Sequence, residues 1–265
     1  MQAPQIGRAV PRKEARDKVT GRARYVDDVT FPGMIHGVTV RSKTPRGRIK
    51  EVHFGSGIPW DDITIVTADD LTASHNANVI ALILDDQPCL AAGFINHPEE
   101  AVVLLAHADR SLLERAREAV RIEVEPMPAV LTLEESLAKK AIVWGEDNIF
   151  KEYLIEKGGD VDAALARAHL VVEGEYETGA QEQLYIENNG MIAVYDASAG
   201  GAGSVTVWGS LQCPYYIQKA LMKLFDVPAE KARVVQLETG GGFGGKEEYP
   251  SMIAAHAALL ARKAN

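Results

Sequence analysis

VVQLETGGGFGGKEEYPSMIAAHAALL, residues 234–260, decides how the rest of the chain is organised. VVQLE reads as a strand, TGGGFGGKEE as a turn and SMIAAHAALLARK as a helix, so a glycine-rich loop stands between a strand and a helix N-terminus. Five of the six residues at 240–245 are glycine, interrupted only by Phe243. Glycine there permits positive φ and lets bare N–H groups approach an anion, while the helix behind adds partial positive charge. A tight turn without a ligand is the competing interpretation. So many glycines nevertheless carry an entropic cost that a plain connection does not require.

Two nucleotide loops can be compared with this segment. Gly240, Gly245 and Lys246 fit the spacing of a P-loop, but Glu247 stands where a hydroxyl must hold magnesium, and Glu247 and Glu248 would set two carboxylates beside a triphosphate. A dinucleotide loop fits no better, because the glycines come late and no βαβ unit with a ribose-binding acid follows.

Outward from the loop, the pattern divides into a region at 19–135, a connecting segment at 136–159 and a second region at 160–265, and the class expected is α+β, a mixed α/β arrangement. In the first region, strands are expected at IHGVTV (35–40), DITIVT (62–67), VIALIL (79–84) and RIEVE (121–125), with a helix in DRSLLERAREAV capped by Asp109. In the second, Asp160 caps a short helix, and strands are expected at HLVVEGEYE, QEQLYIEN, MIAVYD, SVTVWG and ARVVQLE, with a helix whose first turn holds Pro214. The strand QEQLYIEN would place Gln183, Tyr185 and Glu187 on one face. The last helix is apolar on nearly every side through Ile253, Ala257, Leu259 and Leu260, so it is expected to need cover from a larger domain or, failing that, from a homodimer.

Bulk properties narrow the function. With 46% hydrophobic and 25% charged residues the 265-residue chain has the material of a globular core, and its formal charge of −9 disfavours nucleic acid as a partner. The basic residues gathered in the first fifty positions read as a solvated face. No apolar run resembles a signal peptide or a membrane span, so a cytoplasmic location is expected. The two cysteines, Cys89 and Cys213, and the seven histidines have no metal-ligand spacing, which leaves no protein-held zinc or iron–sulfur site.

GGGFGGKE at 240–247 resembles the loop that covers the molybdopterin in molybdenum hydroxylases of the xanthine dehydrogenase and aldehyde oxidase family. Further segments agree in order: GAQEQLYIENNGMIAV (179–194) resembles the family's QEHxYxE segment and GSLQCPYYIQKAL (209–221) its TQ-x-P segment. GRARYVDDVTFPGMIHGVTVRSKTPRGRI (21–49) and VRIEVEPMPAV (120–130) resemble the family's hammerhead-like α/β domain. The resemblance implies that region 19–135 is such a domain and that 160–265 is part of a molybdopterin-binding domain. Gly241, Gly242, Phe243, Gly244 and Gly245 would then bind cofactor, Gln212 would lie beside an oxo ligand, and Glu247 would contact substrate, both as catalytic residues. No side chain would ligate the metal directly.

The same resemblance implies hydroxylation of an N-heterocycle or aldehyde with oxygen from water. The cofactor would be molybdenum–molybdopterin, or its cytosine dinucleotide form, with iron–sulfur and FAD centres on partner chains. The general base would be a glutamate farther toward the C-terminus, so activity is expected only with a complementary C-terminal molybdopterin-binding chain. A non-catalytic cofactor-binding or assembly module, a truncated fragment and an unrelated phosphate-binding protein remain as alternatives. Three departures from the family pattern stand out: Gln183 in place of a histidine, Leu211 in place of a hydroxyl residue, and INHPEEAVV at 95–103 in place of a GQPVA-like loop.

Overall fold

A computed structural model describes residues 6–73, 77–80 and 85–265. The elements in chain order are α1 (Ala15–Val19), β1 (His36–Arg41), β2 (Gly47–Phe54), β3 (Thr64–Val66), α2 (Ala68–Ala73), β4 (Phe94–Ile95), β5 (Ala101–His107), α3 (Arg110–Ala119), β6 (Val120–Pro126), α4 (Leu133–Leu137), α5 (Val161–Ala166), β7 (Met191–Asp196), β8 (Ser204–Gly209), α6 (Pro214–Phe225), β9 (Ala232–Gln236) and α7 (Tyr249–Ala264). The class is mixed α/β. Most of the strand expected at 79–84 lies outside the described residues. Among the described residues no helix is long and apolar enough to cross a membrane.

Residues 1–126 and 183–265 form one compact unit, and 127–182 another. Among the described residues the larger unit holds three sheets of three strands each, in the orders β1-β5-β3, β4-β2-β6 and β7-β8-β9. β8 runs antiparallel to β7 and parallel to β9. This brings the C-terminal ends of β8 and β9 side by side.

β5 is the central strand of its sheet and is buried on both faces. Leu104 and Ala106 enter one apolar cluster with β8, α6 and α7, while Val103 and Leu105 enter a second with α3, β1 and β6. A strand covered on both sides has no reason to alternate, which is why AVVLLAH is a continuous apolar run and why period-2 patterning does not reveal it. Asp109 accepts from the Ser111 and Leu112 N–H groups and starts α3 as its sequence indicates.

α7 is buried as expected, but it corrects the expectation that its cover must come from a larger domain or a homodimer. Met252, Ala254, Ala255, Ala258, Leu259 and Leu260 are all buried, because α7 is packed against α6 and against strands of the β1-β5-β3 and β7-β8-β9 sheets. Its cover comes from within the unit, so the reason for expecting a homodimer at this helix falls away. Close approach on one side depends on Gly37 of β1, where a Cβ would meet Leu260 Cδ1 at 2.8 Å.

Two expected strands are absent. At 169–177 no strand pairing exists among the described residues, and Leu170, Val172 and Tyr176 are exposed, so the apolar and β-favouring residues lack the ladder that would make them a strand. At 181–188 the chain is irregular, and Leu184 has φ +50°, a turn of the backbone incompatible with a continuous strand. In the smaller unit Thr132 caps α4 and Asp160 caps α5, each accepting from a backbone N–H of the first turn.

His256 is a buried polar group on α7. Its Nε2 donates to the Cys89 carbonyl at 3.0 Å, which leaves Nδ1 to accept from the Thr39 hydroxyl at 3.1 Å. Burial first, then Arg41, push its pKa down from 6.5 to about 4, against the upward effect of the Cys89 carbonyl. The folded state therefore requires the neutral ring. Between pH 6.5 and 4 the unfolded chain binds the proton more readily, so stability contributed here is complete above pH 6.5 and falls with pH, by up to about 3 kcal/mol. His256→Gln, whose amide can still donate to Cys89, is expected to flatten this part of the stability-versus-pH profile. Urea unfolding of both proteins at pH 7 and 4.5 checks it, and parallel profiles would contradict the assignment.

Candidate cofactor and substrate site

The neighbouring C-terminal ends of β8 and β9 launch the two segments that make the site. From β8 the chain runs through Ser210, Leu211 and Gln212 into α6, and from β9 through Leu237–Thr239 and the glycines into α7. Three bonds hold the segments together at their base. Leu237 N–H donates to Gly209 O at 2.9 Å, and the Gln236 amide and Thr239 hydroxyl donate to Leu211 O at 2.7 and 3.2 Å.

Gln212 is fixed from three sides. Its N–H donates to Lys246 O at 2.7 Å, and its side-chain Oε1 accepts from the N–H groups of Gly244 at 3.1 Å and Lys246 at 3.2 Å. Backbone N–H groups only donate, so they settle which end of the amide faces the loop: the oxygen does, and Nε2 faces away. Nε2 lies 3.5 Å from Glu247 Oε1, at the limit of a hydrogen bond. Gly242 leaves room for this amide, since a Cβ there would stand 2.3 Å from Gln212 Oε1.

Beneath the loop lies a second set of contacts. Glu187 Oε2 accepts from the Ser210 hydroxyl at 2.5 Å, from Gly240 N–H at 2.7 Å and from the Lys246 ammonium at 2.9 Å. Lys246 is fully buried, with Nζ also 2.9 Å from Ser210 Oγ and 4.7 Å from the centre of the Tyr185 ring. Burial pushes the Glu187 carboxyl up, but the Ser210 hydroxyl, Gly240 N–H and Lys246 ammonium outweigh it and hold the pKa below the ordinary carboxylate value. Its other oxygen, Oε1, is buried without a partner among the described residues.

The structure thus gathers Gly241–Gly245, Phe243, Gln212 and Glu247 into one place. Phe243 has φ +51° and its ring is 76% exposed, with Cε2 at 3.3 Å from where a Cβ on Gly241 would stand. The N–H groups of Gly241, Gly242 and Phe243 donate to no other group among the described residues. Glu247 is exposed and lies before α7 begins at Tyr249, outside the first helical turn. The nearby Cys213 thiol has its pKa raised, by burial and by Glu247 and Glu248, so it is poorly suited to act as a nucleophile. Sequence reasoning left out the Ser210–Glu187–Lys246 set. A lysine at the end of a glycine run and a glutamate in an otherwise amide-rich segment were its available signals.

Comparisons with known proteins agree on both parts of the chain. Residues 20–128 match the aldehyde oxidase and xanthine dehydrogenase a/b hammerhead domain, and residues 145–265 match the molybdopterin cofactor-binding domain. The nicotinate dehydrogenase large molybdopterin subunit of Eubacterium barkeri is 30% identical over 96% of this chain and 58% of its own length. A probable xanthine dehydrogenase subunit from Bacillus subtilis is 30% identical over 95% of this chain and 33% of its own. This chain therefore spans less than two thirds of either relative. The reconstituted CO dehydrogenase from Oligotropha carboxidovorans superposes with a TM-score of 0.79 at 26% identity, covering 96% of this chain and 34% of that one. Quinoline 2-oxidoreductase from Pseudomonas putida 86 shares the fold with a TM-score of 0.80 at 23% identity, covering 97% of this chain and 33% of that one.

The geometry makes one substitution informative. Gly242→Ala puts a methyl group where the Gln212 amide lies, and that exposed side chain is expected to swing away, with about 1–3 kcal/mol lost as two side-chain–backbone hydrogen bonds break. The freed N–H groups of Gly244 and Lys246 should then exchange with solvent faster, which residue-resolved hydrogen exchange measures. Unchanged exchange at both would contradict the arrangement.

Proposed function

We infer function from one premise: this chain belongs to the molybdenum hydroxylase family of xanthine dehydrogenase and aldehyde oxidase, as part of a molybdopterin-binding subunit. We propose that it forms the hammerhead-like domain, over about 19–135, and one part of the cofactor-binding domain, over about 160–265, of an enzyme that hydroxylates an N-heterocycle or aldehyde. Oxygen comes from water in this proposal, and electrons leave to iron–sulfur and flavin centres on partner chains.

The observation that carries the proposal is the orientation of Gln212. Two loop N–H groups occupy its oxygen, so its amide presents a hydrogen-bond donor outward, next to the N–H groups of Gly241, Gly242 and Phe243. A surface of backbone and amide donors without a metal-ligating side chain fits a group whose metal is held by its own pterin and whose oxygen ligands need donors. The bound molybdenum–molybdopterin supplies the two-electron oxidation.

The roles of the residues follow from their atoms. Gly241–Gly245 give close backbone approach, and Gly241, Gly242 and Phe243 supply N–H donors, with the Phe243 ring closing one side against water. Gln212 Nε2 donates to an oxygen at the reacting centre. The Glu247 carboxylate, exposed beside that amide, accepts or shares a proton with a nitrogen of a heterocyclic substrate.

The enzyme co-expressed with the remainder of its subunit and its partners is expected to hold molybdenum and pterin in proportion to this chain, by metal analysis and pterin fluorescence. Bound nucleotide or phosphate in place of molybdenum would overturn the proposal. Gln212→Ala should lower turnover by about 10²–10³, the scale for losing one donor at a reacting centre, and should lower turnover more than cofactor content. Rates within twofold of the unmutated enzyme would remove Gln212 from the role.

We also propose that turnover requires the rest of the subunit, since this chain spans 58% and 33% of the two relatives. The purified chain alone should not oxidise xanthine, nicotinate or a simple aldehyde. Turnover by the lone chain would show the full machinery to be present within it.

A further inference from the structure

Lys246 meets the site at three points of its own structure. Its carbonyl accepts from Gln212 N–H, its N–H donates to Gln212 Oε1, and its ammonium reaches under the loop to Glu187 and Ser210. Glu187 in turn accepts from Gly240 N–H, at the opposite end of the glycine run. A loop of five glycines has almost no side chains with which to hold its own conformation. The pair Glu187–Lys246 spans both of its ends.

The pair is also well placed to be rigid. Lys246 has no exposed surface, and only 16% of the Glu187 side chain is exposed. The Tyr185 ring lies against the ammonium, and the Tyr185 hydroxyl accepts from Asn189 Nδ2 at 2.8 Å, which fixes the ring. A buried ion pair of this kind is weak as a source of net stability, since desolvation offsets the attraction, but removal of one partner strands a charge. Its contribution is therefore best sought in geometry.

We propose that Lys246 is a positioning residue: paired with Glu187 beneath the glycine loop and joined to Gln212 through its own backbone, it holds the outward donor of Gln212 and the loop N–H groups in one arrangement. The proposal rests on the reading of this loop as the cofactor face, and it deepens that reading by assigning a role to side chains that touch neither cofactor nor substrate. The ammonium acts at a distance from the reacting atoms. It closes the base of the loop, and the closed loop orients Gln212.

The test uses the assembled enzyme carrying Lys246→Met, and the double variant Glu187→Gln/Lys246→Met, in which no charge is stranded. In Lys246→Met, hydrogen exchange across 240–246 and at Gln212 should accelerate by at least about tenfold, with exchange in β5 unchanged. The absorption spectrum of the bound cofactor should shift and its content fall severalfold. The double variant should recover most of both, which a purely space-filling role for the lysine would not produce. A loop exchanging as slowly in Lys246→Met as in the unmutated enzyme, or a double variant no better than the single one, would overturn the proposal. Should Lys246→Met fail to fold, a folded double variant with native-like loop exchange supports the pairing, and failure of both overturns it. An unmutated enzyme lacking molybdenum and pterin would instead defeat the cofactor reading, and the exchange measurements would still decide whether the pair holds the loop.

Discussion

A turn made of glycine presents its N–H groups, and those not directed outward must find acceptors. Two side chains meet that demand here, together with the Gly242 carbonyl, which accepts from Gly245 N–H at 2.7 Å. Gln212 Oε1 takes the N–H groups of Gly244 and Lys246, and Glu187 Oε2 takes that of Gly240. Because these bonds consume the acceptor end of the Gln212 amide, its donor end is left facing out. The donor character of Gln212 and the loop N–H groups is thus a consequence of how the loop is satisfied from within, with the Glu247 carboxylate as the acceptor beside them.

The fold supplies the geometry by placing two strand ends side by side. β8 and β9 run parallel, so the segments leaving their C-terminal ends, one carrying Gln212 and the other the glycines, start as neighbours. α7 then anchors the far end of the loop. Its burial among α6 and two sheets ties the loop to the same core that holds β5, so the loop's C-terminal end is held by a well-packed element. The buried His256, neutral and bonded on both ring nitrogens, belongs to that anchoring and takes no part in the site.

Local chemistry was legible in the sequence where a residue acts on its immediate neighbours. Asp109 and Asp160 cap their helices, Pro214 opens α6, and the glycine run lies between a strand and a helix. What escaped depended on distant partners. β5 was hidden because burial on both faces erases alternation, and QEQLYIEN looked like a strand although its residues bend at Leu184 to bring Tyr185 and Glu187 under the loop. Lys246 was visible as a fit to P-loop spacing, with Glu247 the departure, but its partner stands 59 positions earlier, and no spacing rule connects them. The apolar character of α7 was read correctly as a demand for burial. That the same unit meets it could not be inferred from the helix itself.

The most direct test of the account is an experimental structure of the assembled, cofactor-loaded enzyme at a resolution that distinguishes the side-chain environment of Gln212. The account predicts a cofactor oxygen within about 3.2 Å of Gln212 Nε2, with Oε1 still accepting from Gly244 and Lys246. A cofactor bound away from residues 240–245, or a Gln212 amide turned so that its oxygen faces the cofactor, would contradict it.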